Sequence, residues 1–173
     1  MKRGKVPDWL KLGLTQQRLR ELLHYDPETG VFTSRVFRSR CPVGKEVGST
    51  RLDGYCELTI DRQRYLAHRL AWLYVYGYLP GYIDHIDCNP SNNRISNLRE
   101  VTRTQNQRNM SIGTSNTSGA KGVAWDKSRN KWIVNIRYDG RSKHIGRFDN
   151  FDDAVNAVRR ARDELHGEFA NHG

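Results

Sequence analysis

Residues 82–106 read YIDHIDCNPSNNRISNLREVTRTQN. Asp84 and His85 stand side by side, and an Asn-rich turn follows at Asn89, Asn92 and Asn93. Ile95, Leu98 and Val101 then space an apolar segment that carries Asn97. Thr102-x-x-Gln105 spells a capping box, which places Asn106 in the first turns of a helix. Neighbouring residues of a strand point to opposite faces, so Asp84 can meet a cation while His85 meets a water. A carboxylate, an imidazole and a carboxamide on a short hairpin and helix can hold one hard divalent metal beside a general base.

The rest of the chain bounds what such a site can serve. Its 173 residues allow one ordinary domain or two small ones. A hydrophobic share of 36% and a mean hydropathy of −0.80 favour two or three small cores over one large one. Twenty-nine Lys and Arg against nineteen Asp and Glu leave a net charge of +10. With aromatic residues interleaved, that excess points to a nucleic acid as the polyanionic partner. Cys41, Cys56 and Cys88 form no C-x-x-C, which argues against a disulfide scaffold and a zinc knuckle. No run is apolar enough to span a bilayer, and residues 1–14 are basic without the apolar core of a secretory signal. The expected compartment is a reducing cytoplasm.

Upstream, Thr15 is placed to N-cap a helix that turns Leu19, Leu22 and Leu23 to one side. Asp26-Pro27-Glu28-Thr29-Gly30 is turn chemistry, and a strand starts at Val31-Phe32-Thr33. Residues 34–54 carry Arg35, Arg38, Arg40, Lys45 and Arg51 and read as irregular strand and loop, either solvated or gripping phosphate. Tyr55–Ile60 is expected to pair with Arg64–Leu66 through a turn near Asp61. AHRLAWLYVYG then predicts a helix with Ala67, Leu70, Ala71 and Tyr74 on one stripe, stopping at Gly77. His68, at its start, reads as a hydrogen-bonded or solvated histidine in preference to a catalytic one.

Downstream, residues 107–120 are rich in Ser, Thr, Asn and Gly without an acid, and read as a linker. Residues 121–149 hold eight Lys and Arg against three Asp, in three strand-like runs with turns near 127–130 and at Asp139-Gly140. Alternation sets Trp132, Val134 and Ile136 on one face, and Lys131, Ile133, Asn135 and Arg137 on the other. A helix follows, N-capped by Asn150, with Ala154, Val158, Ala161 and Leu165 inward. Arg159, Arg160 and Arg162 near its end complement the helix dipole.

The ordered run Asp84-His85, Asn97 and Asn106 resembles the HNH endonuclease family, closest to the branch of phage and intron-encoded homing endonucleases. That resemblance implies a ββα-metal nuclease fold with His85 and Asn97 as candidate catalytic residues and Asp84 and Asn106 as candidate metal ligands. His85 would be the general base. Asn97 would hydrogen-bond across the loop, holding the strand that bears the base, without ligating metal. Some members brace the fold with four cysteines on zinc, which this chain lacks. Where others end the motif in His, Asn106 makes the donor set richer in oxygen, favouring one Mg²⁺ or Mn²⁺ ion as cofactor.

Lys121-Gly122-Val123, Lys131-Trp132, Asn135-Ile136-Arg137, Ile145-Gly146-Arg147-Phe148 and LHGEFAN resemble the Apetala-two type DNA-binding domain. In that family a three-stranded sheet enters the major groove of double-stranded DNA. The residues carried over are Lys121, Trp125, Lys131, Asn135, Arg137, Lys143 and His144. Plant members often have Arg or Glu where Ala124 and Asn135 stand, so base preference does not transfer.

The expected class is α+β: a nuclease domain over 1–110, a linker over 111–120 and a DNA-binding domain over 121–173. The expected protein is a freestanding phage-type endonuclease, a monomer, working in the host cytoplasm. The alternative is a sequence-specific DNA-binding regulator with an HNH-like scaffold and no cleavage, against which the intact motif set argues. A structural RNA-binding protein would need single-strand stacking motifs that this sequence lacks.

Overall fold

In the computed structural model the described residues are 13–37, 41–108, 112, 116–138 and 140–172. The expectations at 1–12, at Arg38 and Arg40, over most of 109–115 and at Asp139 lie outside them. The chain divides into two compact units, Met1–Glu100 and Val101–Gly173.

In the first unit, Thr15 caps α1 (Gln16–Leu22) by accepting from Arg18 N at 3.1 Å. The helix stops one residue short of the sequence expectation. Leu23 already belongs to β1 (Leu23–Tyr25), which pairs antiparallel with β2 (Phe32–Ser34) across the Asp26–Gly30 turn. The basic stretch that follows contains an isolated bridge, Thr33 to Glu46, and the short β3 (Ser49–Thr50). β3 pairs with β4 (Cys56–Ile60), and β4 with β5 (Gln63–Leu66). Asp61 and Arg62, with φ of 46° and 66°, make the tight turn between β4 and β5.

α2 (Ala67–Tyr76) ends at Gly77, whose φ of 79° is the left-handed stop expected from sequence. Ala67, Leu70 and Ala71 are buried as predicted, but so are His68, Trp72 and Leu73. The single stripe broadens because α1 and the β4–β5 hairpin both pack on this helix. β6 (Tyr82–His85) and β7 (Leu98–Val101) form a two-stranded sheet, joined by the Asn-rich loop and a 3-10 turn at Ile95–Asn97. The core of the unit gathers α1, β1, β2, β4, α2, Ile83 and Leu98.

In the second unit, Thr102 and Gln105 close the predicted capping box: Gln105 Oε1 accepts from Thr102 N at 2.8 Å, and Thr102 Oγ1 from Gln105 N at 3.2 Å. Asn106 lies in α3 (Arg103–Arg108). The part of the expected linker over 116–120 is a built turn. Ser118 Oγ donates to Val123 O at 2.7 Å, and Asn116 Oδ1 accepts from Gly119 N at 2.8 Å. β8 (Val123–Asp126), β9 (Lys131–Tyr138) and β10 (Arg141–Phe148) form an antiparallel sheet in the order β10-β9-β8.

α4 (Phe151–His166) packs on that sheet, N-capped by Asn150 with Asp152 and Asp153 in its first turn. Arg162 departs from its expected role. It lies one turn beyond Val158 on the inward face, only 2% exposed, and donates through Nη2 to Lys121 O at 2.6 Å. The residue read as a partner of the helix dipole is a pin between α4 and the start of the sheet.

Candidate active site

The β6 strand presents its two motif residues to different surroundings. Asp84, 7% exposed, accepts on Oδ2 from Arg99 Nε at 3.0 Å and Nη2 at 2.9 Å, reaching across from β7. His85, 5% exposed, packs among rings: His68 at 5.1 Å and Tyr55 at 5.9 Å between centroids. Burial lowers the His85 pKa, opposed by the neighbouring Asn93 side chain and by the Asp87 and Asp84 charges. His68 is buried beneath it, and burial holds its pKa down to about 3, so it is neutral at ordinary pH. The expectation of a solvated or hydrogen-bonded helix start is corrected here: the ring is 6% exposed and its Nδ1 has no hydrogen-bond partner among the described residues.

The loop between the strands is organised by an acid that sequence reasoning passed over. Asp87 accepts on Oδ1 from Asn89 N at 2.8 Å and Asn97 Nδ2 at 2.9 Å, and on Oδ2 from Asn92 Nδ2 at 2.7 Å. Desolvation works against its charge, but these bonds from Asn92, Asn89 and Asn97 prevail and lower its pKa. Asn97 also donates to Asn92 O and accepts from Asp87 N, while its backbone carbonyl accepts from Ile86 N. Its carboxamide therefore ties both ends of the loop.

Asn92 is the turn former expected of it. Asn93 is more than that: it is 4% exposed, and its Nδ2 donates to Ser91 O at 3.0 Å. Arg99 was missed because it has no local signal; only the pairing of β6 with β7 brings it to the motif. Asn106 stands on α3 in the second unit.

The donor chemistry at Asp84 suits a hard cation. A carboxylate has about four lone-pair sites and supplies hard oxygen donors, the kind such a cation prefers. Among the described residues, no three His, Cys, Asp or Glu side chains gather into a metal cage. Mg²⁺ needs none, since it retains several waters.

The seven DNA-binding candidates separate by face. Directly opposed residues of an antiparallel pair share a face. His144 pairs with Asn135 and hydrogen-bonds to it at 3.2 Å, and Arg147 pairs with Ile133. With Lys131 and Arg137 these make the face turned away from α4. Trp125 instead pairs with Trp132, their rings 5.0 Å apart, and Lys143 pairs with the buried Ile136. Both fall on the helix side of the sheet. A bulge between His144 and Gly146 turns Ile145 into the core, so counting alternate residues along β10 breaks down there. Lys121 lies before β8, where Nζ donates to Asn171 O at 3.5 Å. Arg147, outside the original set, joins the open face.

Among the described residues no helix is long and apolar enough to cross a membrane. No solved structure matches this chain. Residues 65–108 match the family described as HNH endonuclease. Protein 3.8 of Escherichia phage T7 is 40% identical over 105 residues, covering 60% of this chain and 86% of that protein. An uncharacterized HNH endonuclease of Acanthamoeba polyphaga mimivirus is 32% identical over 116 residues, 65% of this chain and 59% of its own length. Joined to the Asp84-His85 strand and the loop tied by Asn97, these similarities decide the assignment: the chain belongs to the HNH endonuclease family.

Proposed function

We propose that the protein is a DNA endonuclease that hydrolyses phosphodiester bonds with one divalent cation, Mg²⁺ or Mn²⁺, and is of the freestanding phage homing type. The observation that carries this reading is the placement of His85: a desolvated imidazole beside a carboxylate, on a strand whose loop is tied at both ends. His85 takes the proton of the attacking water, and desolvation favours the neutral form that can do so. Asp84, with Asn106 as second oxygen donor, would hold the cation. When bound, the cation neutralises charge growing on the phosphate and stabilises the leaving oxygen. Arg99 orients the Asp84 carboxylate, and Asn97 keeps the loop closed.

The C-terminal part we read as an Apetala-two type domain over 121–173 that docks on double-stranded DNA. Lys131, Asn135, Arg137, His144 and Arg147 share the face free of α4, which supports that role better for them than for Trp125, Lys143 or Lys121. The nuclease part would be 1–110 with a linker over 111–120. The protein would act as a monomer in the host cytoplasm.

One observation favours the regulator reading: the Arg99 guanidinium already balances the charge of Asp84. A supercoiled plasmid assay decides between them. Cleavage with Mg²⁺ that EDTA abolishes supports the nuclease, and DNA binding without cleavage in Mg²⁺ or Mn²⁺ supports the regulator.

A further inference from the structure

We propose that a groove along α4 in the second unit binds a mononucleotide, with its phosphate at Arg159 and Arg162 and its sugar and base towards Asp152 and Phe151. The groove lies on the helix side of the C-terminal sheet, away from the face read as docking on DNA, so it can serve whether or not the chain cuts.

Its volume is about 480 Å³, within the range of small-ligand sites. Phe151 and Val155, both half-buried, give it an apolar strip. Asp152, Asn156 and Arg159 are exposed at its rim, and Arg162, 2% exposed, lies at its floor. Arg162 donates through Nη2 to Lys121 O at 2.6 Å and through Nη1 to His172 Nδ1 at 3.4 Å. A guanidinium only donates, so His172 Nδ1 accepts and the ring proton sits on Nε2, 3.0 Å from Asp163 Oδ1. Asp163 therefore reaches Arg162 only through a neutral ring, and among the described residues no carboxylate meets the guanidinium directly. A buried cation without direct compensation is costly, and Arg159, three residues back on α4, adds like charge. An anion bound between the two arginines offsets both, using guanidinium N–H groups that the two existing bonds leave over.

Asp152 sets the size of the occupant. It stands seven residues before Arg159 on the same side of α4, about 10 Å along the helix axis. A bare phosphate cannot touch both. A nucleotide can, with its phosphate at the arginines and a hydroxyl or amine donating to Asp152. The apolar strip of Phe151 and Val155 then lies beside the flat base, with the Phe151 ring held by Trp132 at 4.8 Å between centroids. A duplex does not suit this side of the unit. Asp152, Asp153, Asp163 and Glu164 are all exposed on α4 and repel a continuous phosphate backbone.

The test is titration of the full chain with adenosine monophosphate, adenosine and a duplex oligonucleotide, followed by ¹H–¹⁵N amide spectra. The monophosphate should give saturable shifts along α4 and at residues 119–121. It should bind at least about 10-fold tighter than adenosine, which lacks the charge-assisted bonds. Arg159→Ala should weaken the monophosphate about 10-fold and leave duplex affinity unchanged. Asp152→Ala should weaken it about 3-fold to 10-fold, the loss of one hydrogen bond. Both side chains are exposed, so neither variant disturbs the core.

No saturable shift up to about 10 mM monophosphate overturns the proposal, as do shifts confined to β9 and β10 or equal affinity for adenosine. Unweakened binding in Arg159→Ala or in Asp152→Ala overturns it as well. Duplex that displaces the monophosphate and loses affinity in Arg159→Ala would make the groove part of the DNA surface, and overturns it too. Failure to cleave plasmid bears only on the nuclease reading, because binding is read here without turnover.

Discussion

Arg99 reaches Asp84 Oδ2 with Nε at 3.0 Å and Nη2 at 2.9 Å, in a pair whose side chains are 16% and 9% exposed. Removing one partner leaves the other charged and largely dry. Arg99→Met should therefore destabilise the protein by about 3 kcal/mol, and Asp84→Asn by a similar amount. The double variant should lose less than the sum of the two. Urea unfolding of the four proteins checks this, and additive losses would mean that the pair is not coupled.

His85→Ala should lower cleavage by roughly 10²-fold to 10⁴-fold while DNA affinity stays within a few-fold, since a general base acts only in the transition state. The sign of its pKa shift adds a second outcome. Desolvation disfavours the imidazolium, so the basic form persists below the ordinary 6.5. The acidic limb of kcat/KM against pH should accordingly fall below that value. A limb at or above 6.5 would contradict the buried placement.

His68 makes stability depend on pH. Its folded pKa of about 3 lies below the ordinary 6.5, so between those values the unfolded chain binds a proton that the folded chain does not. Stability is therefore lost as pH falls from about 6.5 towards 3. The urea midpoint of the wild type should drop between pH 7 and pH 4.5, and His68→Phe should drop less. Parallel profiles for the two proteins would count against a neutral, buried His68.

The two faces of the C-terminal sheet should behave differently in the full chain. Arg137→Ala and Arg147→Ala, on the open face, should each weaken duplex binding by about 1–3 kcal/mol if they read bases. A phosphate contact would instead weaken all sequences alike and flatten the salt dependence. Trp125→Ala should leave DNA affinity nearly unchanged and lower the melting temperature, because its ring packs on Trp132. Gel-shift titrations at two salt concentrations separate these outcomes. A large affinity loss in Trp125→Ala would reverse the assignment of faces.

Local chemistry was legible in the sequence because it acts over a few residues. Thr102 and Gln105 cap each other, Asn150 caps α4, and Asp61 and Arg62 turn a hairpin, each within one turn of chain. The Asp84-His85, Asn97 and Asn106 order was legible for the same reason: short spacings on one hairpin and one helix. Long-range packing decided the rest. Arg99 meets Asp84 only because β7 lies beside β6, and Tyr25 meets Asn93 across 68 residues of sequence. Arg162 left solvent because the inward face of α4 continues one turn past Val158. Lys143 lies on the face of Ile136 because of where β10 registers on β9, a property of strand pairing that residue types along one strand do not encode.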